Sequence, residues 1–124
     1  MLLMSWENAE EALKKNEEIK ITFVGRKSKK KISTPVWYVF ENKNILLLPV
    51  SGSKTNWLRN IVVTPKIDIE LDSIKISGEC EILTNKKDID HVIAKFKEKY
   101  GEEEIKKWYS GFDVAVRVRP RLSK

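Results

Sequence analysis

The chain has 124 residues, 41% of them apolar and 34% charged, and a formal net charge of +6. A length of this order suits one compact domain, taken as residues 1–124, and the apolar share together with four Trp excludes a disordered chain. No apolar run approaches the roughly 18 residues of a membrane span; a single cysteine excludes an internal disulfide and a multi-cysteine zinc site, and with a single histidine it argues against the usual nucleophile–base triads.

The opening Met1-Leu2-Leu3-Met4 is too short for a signal-peptide core, so a cytoplasmic location is expected. Ser5 then caps a helix on which Trp6, Ala9 and Leu13 recur at helical spacing. Ile19, Ile21 and Phe23 alternate with Lys20 and Thr22 as a half-buried strand ending at Gly25. The run Arg26-Lys27-Ser28-Lys29-Lys30-Lys31 concentrates positive charge in a turn. Ile32 to Phe40 reads as one strand, Glu41 to Asn44 as a turn, and Ile45 to Val50 as a strand buried on both faces.

A small polar loop, Ser51 to Asn56, leads into a short helix from Trp57 that stops before Pro65. Two more strands follow, Ile67 to Leu71 and Ile74 to Leu83, the second bending at Gly78. Asn85 caps a helix whose apolar face is Ile89, Val92, Ile93, Phe96 and Tyr100 and which Gly101 closes. Trp108 and Tyr109 fall on a further short helical piece, and Phe112 to Val118 is the last strand, ended by Pro120. Cys80 reads as a small apolar filler on a strand and His91 as a solvated helical residue, so no metal is expected. The sum is an α+β domain whose six strands favour a closed or nearly closed barrel.

Two segments carry the parts of a phosphate site, which needs turn amides, hydroxyls and one or two cations. One is the basic turn with Ser33 and Thr34 beyond it; the other is Ser51-Gly52-Ser53-Lys54-Thr55. If the strands flanking the Glu41–Asn44 turn form a hairpin, residues near Thr34 and near Ser51 meet at one end of the sheet. Each segment also has an ordinary reading. A Ser/Gly/Lys loop is common loop chemistry, a lysine-rich turn is usually solvated, and Trp37 or Trp57 on a strand or helix is more often core than a ligand wall.

In their order along the chain, Gly25-Arg26-Lys27-Ser28 and Thr34-Pro35-Val36-Trp37-Tyr38 resemble the "GRKSG…R…PL.Y" stretch of deazaflavin-dependent nitroreductases. Ser51, then Trp57-Leu58-Arg59-Asn60-Ile61 with Pro65, is similar to that family's "S.GG…P.WY.NL…NP" stretch. Lys29 stands where the family has Gly, Ile32 where it often has Arg, and the loop before Trp57 is shorter. The wider superfamily includes pyridoxamine phosphate oxidase and FMN-binding proteins.

The resemblance implies a six-stranded split β-barrel with flanking helices that forms a homodimer and holds FMN or a deazaflavin coenzyme in a groove between subunits. Lys27, Ser51, Trp57 and Asn60 follow from motif position, and Lys31, Ser53 and Lys54 from charge and hydroxyl chemistry. Backbone groups near Thr34, Pro35 and Val36 line the ring edge, while Trp57 and Asn60 shape the groove. The implied reaction is hydride transfer between the cofactor and an unknown small acceptor, with no dedicated acid or base. Two other readings stand beside it: a flavin-fold protein that binds its ligand without turnover, and nucleic-acid or anionic-surface binding through Arg26 to Lys31.

Overall fold

The computed structural model describes residues 6–122. In chain order the elements are α1 (Trp6–Lys15), β1 (Glu18–Val24), β2 (Lys31–Trp37), β3 (Val39–Glu41) and β4 (Asn44–Leu47). A 3₁₀ turn (Gly52–Lys54) and α2 (Asn56–Val63) come next, then β5 (Lys66–Leu71), β6 (Ile74–Leu83), α3 (Lys86–Tyr100), α4 (Glu102–Trp108) and β7 (Ala115–Leu122). The cap expected at Ser5 lies outside the described residues. Asn85 does cap α3, its side chain accepting from the Asp88 amide, and Gly101 ends that helix at φ 98°.

All seven strands pair antiparallel in one sheet of order β2-β1-β5-β6-β7-β4-β3. β2 and β3 hold opposite edges of this sheet, yet only Tyr38 separates them along the chain. Flat, the sheet would keep those edges about 29 Å apart, whereas the two Cα steps across Tyr38 span about 7 Å, so the sheet must curl. The product is a split β-barrel, joined at its seam by covalent chain and not by a ladder between β2 and β3.

The sequence predicts a single strand over 32–40 and six strands in all; the structure divides that strand and has seven. The cause is Tyr38, whose backbone groups are taken by α3. Its amide donates to the Tyr100 hydroxyl (3.1 Å), and its carbonyl accepts from Lys99 Nζ (2.9 Å) and lies 2.8 Å from the same hydroxyl. Its own phenol donates to the Leu13 carbonyl on α1 (2.5 Å). A residue whose ladder groups are spoken for cannot continue a strand, and the chain turns there from β1's side of the barrel to β4's.

Strand ends shift for similar reasons. β4 stops at Leu47 instead of Val50, two residues short of Pro49, which has no amide to give. β7 begins at Ala115 instead of Phe112 and runs through Pro120 to Leu122. Proline is tolerated there because β4 pairs with β7 only at residues 116–118, so beyond them β7 is bonded on one side alone. Gly78 sits opposite Pro120, and a Cβ at Gly78 would come within 2.4 Å of Val118 Cγ1.

Two apolar clusters follow from the curl. Inside the barrel, Ile19, Ile21 and Phe23 of β1 meet Ile67 and Ile69 of β5 and Val116 and Val118 of β7, with Ala9 and Leu13 of α1 packed among them. Outside, Leu46 and Leu48 face Ile89, Val92 and Phe96 of α3 and Ile105 of α4. β4 contributes Ile45 and Leu47 to the inner cluster and Leu46 to the outer one, which accounts for its unbroken apolar sequence.

Candidate functional site

α2 is amphipathic: Trp57, Leu58 and Ile61 turn inward, and Thr55 precedes it in an extended conformation. Between this helix start and β2 opens a groove of about 440 Å³. One wall is Thr34, Pro35, Val36 and Trp37 of β2; the facing wall is Leu48, Val50, Thr55, Asn56 and Trp57; Trp108, Tyr109 and the carboxylate-bearing Glu18 of β1 complete the lining. The chain segments around Thr34 and around residues 48–57 therefore meet along one concavity.

Its floor is stiff. Trp37 stacks on Tyr100 with centroids 4.4 Å apart and planes 8° from parallel, and it tilts against Tyr109 at 6.0 Å. Tyr109 in turn meets the Phe96 ring edge-on at 5.9 Å. Burial, and then the neighbouring Tyr100, push the Tyr109 phenol above its ordinary pKa, so it stays a neutral wall at any physiological pH. Trp108 is over half exposed (55%), with its indole N–H on Glu104 Oε2 at 3.1 Å. The groove thus combines flat aromatic faces with few polar groups, as sites for planar organic ligands do.

The adjoining loop has the geometry of an anion seat. Gly52 adopts φ +58°, with the Gly111 carbonyl 1.8 Å from where its Cβ would stand, so no other residue fits. Ser53 directs its amide (2.9 Å) and its hydroxyl (2.6 Å) at the two carboxylate oxygens of Asp113. Those bonds, the hydroxyl's first and the amide's second, hold Asp113 below the usual carboxylate range. The Ser51 amide donates to Thr55 Oγ1 at 2.8 Å. The anion this loop holds is the chain's own.

The remaining sequence candidates are dispersed. Asn60 is 2% exposed and not among the groove walls; its Oδ1 accepts from the Arg26 amide (3.0 Å) and from Arg26 Nη1 (2.8 Å). It pins the basic turn to α2. Lys27 and Lys54 are exposed, and Lys31 borders a separate depression with Thr64 and Lys66. Of the ten candidates, Thr34, Pro35, Val36 and Trp57 share the groove, and Ser51, Ser53 and Lys54 form the loop beside it. Lys27, Lys31 and Asn60 stand apart.

Asp113, Val50, Trp108 and Tyr109 were not legible as site residues. The one signal for them was an aromatic pair, Trp108-Tyr109, after a Lys- and Glu-rich helix. His91 is exposed but not merely solvated, since its Nε2 lies 2.6 Å from Glu41 Oε2. Among the described residues no group of three His, Cys, Asp or Glu side chains is placed to hold a metal. Burial pushes the Cys80 thiol up to about 12, which leaves it an inert packing group. No described helix is long and apolar enough to cross a membrane.

No family model matches this sequence, and no curated protein does. Solved structures share the fold. A haem storage protein of Vibrio cholerae superposes with a TM-score of 0.72 at 15% identity, over 98% of this chain and 93% of that one. An FAD-binding protein of Mesorhizobium loti gives 0.67 at 14%, over 98% and 91%. An F420-H2-dependent reductase gives 0.65 at 18%, over 83% and 94%. All three share with this chain the split-barrel architecture.

Proposed function

We propose that this protein binds a flavin-type cofactor, FMN or a deazaflavin such as F420, in the groove between β2 and α2, and is an oxidoreductase acting on a small acceptor. The observation that carries this reading is the groove itself: an open concavity of about 440 Å³ with Trp37, Trp57 and Trp108 around it, on a fold that also serves an FAD-binding protein and an F420-dependent reductase. The volume falls within the range of organic-ligand sites, and flat walls suit a tricyclic ring.

Thr34, Pro35 and Val36 would offer the ring edge their main-chain groups, because β2 is an edge strand bonded only to β1. Trp57 would form one face, and Trp108 would cover the mouth. Ser51, Ser53 and Lys54 would receive the cofactor's phosphate on exchange with the Asp113 carboxylate. Lys27 and Lys31 would add positive potential at longer range, and Asn60 would act by fixing Arg26 and the turn. The bound ring would supply hydride chemistry; the chain positions it and excludes water.

Titration with FMN and with F420, followed by ligand absorbance and fluorescence, tests the reading. One of them is expected to bind, and Trp108→Ala to weaken that binding about two- to tenfold, the loss of one ring contact. Unchanged spectra with both cofactors would sink it. So would binding that Trp108→Ala leaves untouched.

A further inference from the structure

The basic run forms a rigid turn at one end of the barrel. The Gly25 amide donates to the Lys30 carbonyl (2.8 Å), the Lys29 amide to the Gly25 carbonyl (2.9 Å) and the Lys30 amide to Ser28 Oγ (3.2 Å). Arg26 turns inward to Asn60 and Asn56 of α2. Lys27, Lys29, Lys30 and Lys31 turn outward and are exposed. Among the described residues none of these four has an ion-pair partner, while ion pairs such as Lys20–Glu70, Lys86–Asp90, Lys106–Glu102 and Arg117–Glu81 engage only some of the cations elsewhere.

Bare aliphatic side chains lie on the turn's flank and on the helix end nearby. Ile32 is 38% exposed and lies over Gly25, its Cδ1 3.0 Å from where a Cβ would be; Val62 and Val63 at the end of α2 are each 56% exposed. α2 ends near the turn, since Val62 shares one depression with Arg26, Arg59 and Asp113, and Thr64 shares another with Lys31, Lys66, Asp68 and Glu79.

We infer that this end of the molecule docks on an anionic lipid surface, with the lysines on headgroup phosphates and Ile32, Val62 and Val63 in the interfacial layer. Charge and apolar insertion together supply the two signals that stable peripheral binding needs, each lysine adding about fivefold near an anionic leaflet. Nucleic acid fits less well, because single-strand binding uses aromatic platforms and the bare groups here are aliphatic; Trp37, Trp57 and Trp108 line the groove instead. A second copy fits less well too, since a two-fold contact through this face sets like charges against each other. The inference is independent of what the groove holds.

Co-sedimentation of the full chain with vesicles tests it, using phosphatidylcholine alone and phosphatidylcholine mixed equally with phosphatidylglycerol. Binding is expected only to the mixed vesicles and to fall as salt is raised. Lys29→Glu with Lys30→Glu is expected to weaken it by about twentyfold or more. Val62→Asp, at an exposed position that leaves the circular dichroism unchanged, is also expected to weaken it. The proposal fails if neither vesicle binds, if both bind alike, or if the lysine reversal has no effect. It fails equally if duplex DNA is bound at a salt concentration at which the mixed vesicles are not, or if Val62→Asp halves the mass in solution while vesicle binding persists.

Discussion

Ser53 and Asp113 lie 60 positions apart and meet through two hydrogen bonds of 2.6 and 2.9 Å. The polar loop and its hydroxyls were plain in the sequence. Its internal counter-anion was not, because nothing local marks Asp113 as the partner and the loop at Gly111 (φ 62°) that delivers it has no periodic signature. If a ligand phosphate takes this seat, Asp113 competes for it. Asp113→Asn is then expected to tighten FMN by about three- to tenfold while leaving riboflavin, which has no phosphate, unchanged. Equal affinities of both proteins for FMN would place the phosphate elsewhere.

The same pair sets an acid-side dependence. Its carboxylate form is favoured in the fold, so the pair stabilises fully above the ordinary Asp pKa of about 4 and progressively less as pH falls through the lowered value. Urea midpoints measured down that range are expected to fall less steeply for Asp113→Asn than for the parent. Parallel curves would show that the carboxylate is not held in solution.

At the level of elements, most strands were legible because alternation survives folding: β1 reads exposed–buried from Glu18 to Phe23 as its sequence does, and β5 likewise. The break between β2 and β3 was not, since the apolar run Val36 to Phe40 continues straight through it and its cause, Tyr100, lies 62 residues from Tyr38. Tyr100 has two roles there, a ring stacked on Trp37 and a hydroxyl that serves the Tyr38 backbone. Tyr100→Phe keeps the first and removes the second, leaving a part-buried amide without its partner. A loss of about 1–3 kcal/mol is expected from urea denaturation. A loss below about 0.5 kcal/mol would mean that water serves that amide equally well.

For the whole molecule, the proposed function extends to a partner over the open groove. Val50, Trp108 and Phe112, which are 46%, 55% and 40% exposed, lie on or next to segments that form the groove and its loop. As part of the proposed function, a second copy covers this face and gives the cofactor its outer wall. Light scattering is expected to give about twice the chain mass of 14.5 kDa, and Phe112→Glu to lower both that mass and cofactor affinity. A monomer that binds cofactor fully would refute the arrangement.

The strand order has one more consequence, for how the molecule is made. β7 sits between β6 and β4, so of the seven strands of this sheet the last to leave the ribosome is the one that joins its two halves. Until it emerges, the β3–β4 hairpin has nothing to pair with on its inner side, and β6 shows a bare edge along its length. Native pairing of this sheet is therefore completed only once β7 has emerged, and a stop codon before Ala115 would yield two incomplete sheets tethered at Tyr38, a natural substrate for quality-control proteases.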